Sequence, residues 1–198
     1  MAWKRSRVQV PYGPHMVIFV GGLIGTGKTS LAQALGESLG IFYYDVDLIK
    51  KEVYSTDPNY NYNIENSIPF SNEIRIRNFE LVSDDFVKLS RNHENIIVDE
   101  TLHKESLRQI LFKAAKRHFG GYIVIWIRTD EKIIKERLLN KQREGHMLKN
   151  PFEMYLALKK EFEDLNDADI IFNNNNPLDV SVPEFIRVVS EKLRFKNE

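Results

Sequence analysis

The stretch Gly21-Gly22-Leu23-Ile24-Gly25-Thr26-Gly27-Lys28-Thr29-Ser30 decides the fold. From Gly22 to Thr29 it reads G-x-x-x-x-G-K-T. Ahead of it runs Met16-Val17-Ile18-Phe19-Val20, apolar and of strand length. Behind it Leu31, Ala34, Leu35 and Leu39 recur at helical spacing. Strand, glycine loop and helix form the setting in which this motif cradles phosphate. Gly22, Gly25 and Gly27 let the backbone curl with its N–H groups pointing inward. Together with the helix N-terminus, those groups make a nest for phosphate oxygens. The residues expected to hold a nucleotide are therefore Gly22, Leu23, Ile24, Gly25, Thr26, Gly27, Lys28, Thr29 and Ser30. Lys28 reaches the outer phosphates as a point charge, and the Thr29 hydroxyl is suited to ligate Mg²⁺.

Outward from the loop, apolar runs recur at 17–20, 41–44, 95–98, 122–127 and 170–172. Amphipathic stretches fill the gaps. They cover 30–39, closed by Gly40, then a short 48–54 and a long 72–90. Further helices are centred on Leu107–Ala115, start near Asp130, follow Pro151 and end around Leu193. Five strands alternating with helices predict an α/β sandwich with a mostly parallel sheet covered on both faces. Two stretches break the pattern. The polar and aromatic 55–70 reads as a loop or irregular flap, and Asn173–Asn176 is an asparagine run.

Composition narrows the function classes. Lys+Arg and Asp+Glu both number 28, so net charge is zero and no overall field favours nucleic acid or a membrane surface. Cysteine is absent, which excludes disulfides and thiolate metal sites and fits a cytoplasmic setting. The five histidines show no ligand spacing. No apolar run approaches the roughly 18–20 residues that span a bilayer. The 198 residues predict a single domain over 16–198, with a substrate flap near 55–72 and a lid near 137–150. The basic start at Met1 lacks an apolar segment after it, so it is not a secretory signal. Gly13-Pro14-His15-Met16 looks like a cloning junction, and 1–15 read as an appended tag or tail.

Ligands of open α/β sheets sit beyond the carboxyl ends of the strands. The second strand ends in Asp45-Val46-Asp47, the third in Asp99-Glu100 and the fourth in Arg128-Thr129. Asp47 is placed to position or deprotonate an acceptor hydroxyl, a role compatible with capping the next helix. Asp45 points the same way if the strand continues. Asp99 matches the acid that contacts Mg²⁺, often through water; capping the next helix is the competing reading. Arg137, Lys141 and Arg143 form a cationic segment that can close on phosphates, against the simpler reading of a solvated helix face. Arg75 and Arg77 sit beside the flap and can hold an anionic acceptor.

These motifs resemble the small P-loop kinases of the predicted-kinase type, such as polynucleotide 5′-kinases, chloramphenicol phosphotransferase and zeta toxins. The resemblance rests on Gly22–Thr29, Leu31-Ala32-Gln33-Ala34-Leu35, Asp47-Leu48-Ile49-Lys50, Ile97-Val98-Asp99-Glu100-Thr101 and Arg137-Leu138-Leu139. It implies strand order 2-3-1-4-5, ATP with Mg²⁺, and γ-phosphate transfer to a hydroxyl or phosphate of a small molecule. It implies a catalytic Asp at Asp47, a lid at Arg137, and adenine near 128–137 and the loop after the fifth strand. Lys50 and Lys141 stand where the group often has Arg, and a Lys lacks the bidentate fork. No glycine triplet follows the third strand, which argues against a shikimate kinase. An adenylate-type kinase would want more acceptor-side Arg. Two rival classes are a nucleotide-dependent switch without a small-molecule acceptor and, disfavoured by the zero net charge, a nucleic-acid end kinase.

Overall fold

The computed structural model describes residues 15–140, 149–165 and 168–195. A five-stranded parallel sheet carries the fold, in the order β2-β3-β1-β4-β5. The strands are β1 (Met16–Gly21), β2 (Phe42–Tyr44), β3 (Asn95–Glu100), β4 (Tyr122–Arg128) and β5 (Ile170–Asn173). The helices are α1 (Lys28–Leu39), α2 (Asp47–Tyr54), α3 (Tyr60–Asn66), α4 (Asn72–Asn92), α5 (Glu105–Phe119), α6 (Glu131–Asn140), α7 (Pro151–Lys160) and α8 (Leu178–Phe195).

Period-two alternation splits each central strand between two cores. Val17, Phe19, Ile96, Val98, Val124 and Trp126 face α4 and α5, where Phe79, Phe86, Leu111 and Phe119 complete one cluster. Ile18, Val20, Ile97, Ile123, Ile125 and Ile127 face the opposite layer, with Leu31, Leu35, Phe185 and Val189. Both faces being covered, β1, β3 and β4 are apolar almost throughout, as a buried parallel sheet requires. Among the described residues no helix is long and apolar enough to cross a membrane.

Two expectations are corrected. The stretch 55–70 is not irregular throughout, because it contains α3. Seven residues with no buried side chain give no apolar period to read, and so short a helix is marginal alone. Tertiary contacts hold it. Phe70, 6% exposed, packs its ring 4.4 Å from Tyr54 and 5.9 Å from Tyr60. Lys149 pairs with Glu65 at 2.8 Å, and Ser67 Oγ donates to the Asn150 carbonyl at 2.9 Å. The last helix, marked in the sequence by Phe185, Val188, Val189 and Leu193, begins earlier, at Leu178, and runs through Pro183. Its first turn is set at Pro177, whose carbonyl accepts from the Val180 and Ser181 N–H groups. Lys141 and Arg143, the outer lid residues, lie outside the described residues, as does all of the expected tag except His15.

Candidate nucleotide and acceptor site

The glycine loop turns from β1 into α1 through two left-handed residues, Gly25 at φ 84° and Gly27 at φ 87°. An L side chain is strained there and would also collide. A Cβ on Gly27 would lie 2.5 Å from Asn174 Nδ2, and one on Gly25 would lie 2.9 Å from Ile134. The turn is pinned from behind. The Thr26 carbonyl accepts from Asn174 Nδ2 at 2.7 Å, from Thr129 Oγ1 at 3.3 Å and from Arg137 Nη1 at 3.4 Å. A trans peptide sets its C=O and N–H in opposite directions. Anchoring the Thr26 oxygen toward β4, β5 and α6 therefore turns the Gly27 N–H the other way, toward the concave side of the loop.

Behind Lys28 and Thr29 sits Asp99, 8% exposed at the end of β3. Thr29 Oγ1 donates to its Oδ2 at 2.7 Å, and Lys28 Nζ lies 3.8 Å from the same oxygen. Tyr43 donates its hydroxyl to Asp99 Oδ1. Burial first, and then the charge of Asp99, hold that phenol well above the usual tyrosine range, so it stays a donor. The parallel register explains the meeting, since Tyr43 lies beside Ile97 in the β2–β3 pair.

One cavity of about 840 Å³ opens in front of the loop. Gly25, Gly27, Lys28, Thr29, Ser30 and Arg137 line its phosphate end. Asp47, Lys50, Tyr54, Arg75, Glu100, Thr101 and His103 line it elsewhere. Lys50 Nζ lies 2.6 Å from Glu100 Oε2 and 3.2 Å from Asp47 Oδ1. Burial alone would lower its pKa, but Glu100, Asp47 and Tyr54 outweigh burial and hold the ammonium well above the ordinary lysine value. Arg137 donates Nη2 to the Asn176 carbonyl at 3.0 Å, and among the described residues it faces no carboxylate. Burial lowers its pKa, and its charge remains available to an anion in the cavity.

The structure thus brings Lys28, Asp47, Lys50, Arg75 and Arg137 around one space, with Thr29 in its wall and Asp99 behind Thr29. Asp45 and Arg77 are not part of the wall. Asp45 instead accepts the Asp47 N–H at 2.9 Å and so caps α2, because the chain leaves the strand at Val46, which turns into the core at 1% exposure.

Four contributors escaped the sequence reading. Tyr43, His103 and Glu100 hold Asp99, Arg75 and Lys50; the first pairing comes from strand register and the other two from the packing of α4 and α2 at the end of β3, not from any local spacing. Asn174 is the fourth. The asparagine run was expected either to touch the base edge or to be solvated, yet Asn174 is 0% exposed against the loop. Its position one residue past β5 was the available signal. Among the described residues no group of three or more His, Cys, Asp or Glu side chains could hold a metal ion.

Comparison with known proteins agrees with this architecture. No curated protein matches the chain significantly. A gluconokinase from Sinorhizobium meliloti 1021 superposes with TM-score 0.68 at 20% identity, over 93% of this chain and 98% of that one. A shikimate kinase from Acinetobacter baumannii in complex with shikimate gives TM-score 0.58 at 19% identity, over 92% and 96%. An APS kinase from Mycobacterium tuberculosis in complex with AMPPNP and APS gives TM-score 0.60 at 15% identity, over 90% and 99%. At such identities the likeness is one of fold, that of the small P-loop kinases. The AAA domain family matches residues 18–155, from β1 through the glycine loop to α7. The chain belongs to the AAA domain family.

Proposed function

We propose that the chain is an ATP-dependent phosphotransferase that moves a γ-phosphoryl group to a hydroxyl or phosphate of a small molecule. The observation that carries this reading is the single cavity that joins a phosphate nest to a second polar cluster at Asp47, Lys50 and Arg75. A pure NTPase needs only the nest.

The residues fit ATP with Mg²⁺. Thr29 spends its proton on Asp99, which leaves its oxygen lone pairs for a hard cation, and Asp99 is a hard oxygen donor behind it. When bound, Mg²⁺ supplies neutralisation of charge on the triphosphate. Lys28 reaches the outer phosphates, and the Gly27 N–H adds a fixed dipole. Asp47 receives or orients the acceptor hydroxyl proton, with Lys50 restraining its Oδ1. Arg137 closes over the phosphates as part of a lid near 137–150. The stretch 55–72, through Ile64, Pro69 and Phe70, forms the acceptor-side wall. The zero net charge argues against nucleic acid as acceptor.

Asp47→Asn separates this reading from a nucleotide-dependent switch. The Asp47 side chain is 73% exposed, so stability should move by less than about 1 kcal/mol. Acceptor-dependent turnover should fall roughly 10²–10⁴-fold, the worth of a positioned general base. ATP-analogue binding should hold. Wild-type turnover with an acceptor would leave Asp47 as a helix residue only; lost ATP binding would move it to the metal site.

A further inference from the structure

The part of the cavity away from the phosphates has two charged poles. At one, Arg75 is 5% exposed. Its Nη1 lies 2.6 Å from His103 Nε2 and 3.1 Å from Glu161 Oε2. Arginine offers only donors, so His103 Nε2 accepts and the ring carries its proton on Nδ1. Burial first, and then the charge of Arg75, push His103 down to about 4, so the ring is neutral at pH 7. Glu161 also binds Lys104 at 3.1 Å. Two cations therefore share one carboxylate, and this pole has surplus positive charge. Among the described residues, Nε and Nη2 of Arg75 donate to no protein acceptor. An arginine held in a cavity wall with unused donors is built for a planar anion.

At the other pole Lys50 faces two carboxylates, Glu100 and Asp47. Carboxylates there suit a hydroxyl proton rather than an anion. Much of the remaining wall is apolar, with Ile64, Pro69, Phe70, Phe79, Met154 and Leu158. Thr101, Tyr54, Gln33 and Lys51 add its polar groups. Each acceptor hydroxyl buried against that wall without a partner weakens binding roughly 5- to 100-fold.

We infer that the acceptor is an alcohol with an anionic group at its far end, a carboxylate or a phosphate bound by Arg75, joined to the reacting hydroxyl by a compact apolar skeleton. This inference rests on the phosphotransferase reading above. It separates the chain from kinases of polyhydroxylated acids. The acceptor O–H oxygen attacks the γ-phosphorus of ATP, the bond from that phosphorus to the β,γ-bridging oxygen breaks, ADP leaves, and the hydroxyl proton passes to Asp47.

The test uses the full chain with ATP, Mg²⁺ and matched acceptors, each assayed for its phosphorylated product. The arms are hydroxymethylbenzoate, hydroxymethylphenyl phosphate, the neutral benzenedimethanol and the polyhydroxylated gluconate, repeated on short aliphatic skeletons. The expected result is a kcat/KM at least about tenfold higher for the carboxylate or the phosphate arm than for the neutral and polyhydroxylated arms. Whichever anionic arm is faster identifies the group. Arg75→Gln should erase that preference by a roughly 10- to 100-fold loss on the anionic arms alone. Arg75 also holds His103 and Glu161, so that variant can fail to fold; the wild-type ratio between arms then decides alone. Preference for gluconate or for the neutral diol overturns the acceptor class and leaves the phosphotransferase standing. No product in any arm, with ATP hydrolysis indifferent to all of them, overturns both.

Discussion

Replacing Asn174 by Ala removes the nearest of the three donors on the Thr26 carbonyl. The lost neutral hydrogen bond, 2.7 Å long and buried, is worth about 1 kcal/mol. Two terms offset it. Thr129 and Arg137 still reach the Thr26 oxygen at 3.3 and 3.4 Å, so no carbonyl is orphaned. Asn174 Oδ1 is itself buried without a partner among the described residues, and deleting it relieves a desolvation penalty of about 1–3 kcal/mol. The apo fold should therefore shift by less than about 1.5 kcal/mol. Nucleotide binding should suffer more. Without its tether the Thr26–Gly27 peptide must be ordered when phosphate arrives, and fixing one residue's backbone costs about 1–2 kcal/mol. That converts to a roughly 5- to 30-fold weaker dissociation constant for a non-hydrolysable ATP analogue. Calorimetric titration gives the affinity, and urea melts of apo protein give the stability. Analogue affinity within twofold of wild type, with a normal melt, refutes the tether. A melt lowered by more than about 3 kcal/mol would make Asn174 a structural residue instead.

Three further outcomes are expected. Lys28→Ala should abolish phosphoryl transfer while apo melts barely move, since Lys28 lines the cavity from the first turn of α1 and its ion pair to Asp99 is 3.8 Å long; near wild-type turnover, or an unfolded apo protein, contradicts this. Asp99→Asn should displace the Mg²⁺ dependence of activity to higher concentration more than it weakens nucleotide affinity, and an Mg²⁺ titration superimposed on wild type removes Asp99 from that role. His103 is held at about 4 in the fold against an ordinary 6.5, so below pH 6.5 the unfolded chain takes up a proton that the native state refuses. Its stabilisation is complete above about pH 6.5 and is lost as pH falls toward 4, by roughly 3 kcal/mol, and urea melts of His103→Gln should lack that part of the slope.

The glycine loop was legible because its chemistry is local. Gly25 and Gly27 occupy left-handed positions that few other residues tolerate, and Lys28 and Thr29 follow without a gap. The strands were equally plain, since burial on both faces writes an unbroken apolar run. Boundaries and partners were less so. α3 shows no apolar face because it leans on Phe70 and on Asn150, residues outside itself. Arg75 and His103 are 28 positions apart, and Tyr43 and Asp99 are 56 apart. Their meetings follow from sheet order and helix packing, which no spacing rule encodes. Asp45 and Asp47 looked equivalent by alternation, and the turn into α2 at Val46 ended that equivalence by making one a cap and the other part of the cavity wall.

The most direct test follows the phosphate itself. The full chain is incubated with γ-labelled ATP and Mg²⁺, with and without a pool of small hydroxylated metabolites, and the label is separated by chromatography. The account predicts slow release of labelled inorganic phosphate without the pool. With it, label should pass to a new small-molecule phosphoester, and Lys28→Ala should abolish that transfer. Label found only as inorganic phosphate, at one rate with or without the pool, would contradict phosphotransferase activity and favour a nucleotide-dependent switch.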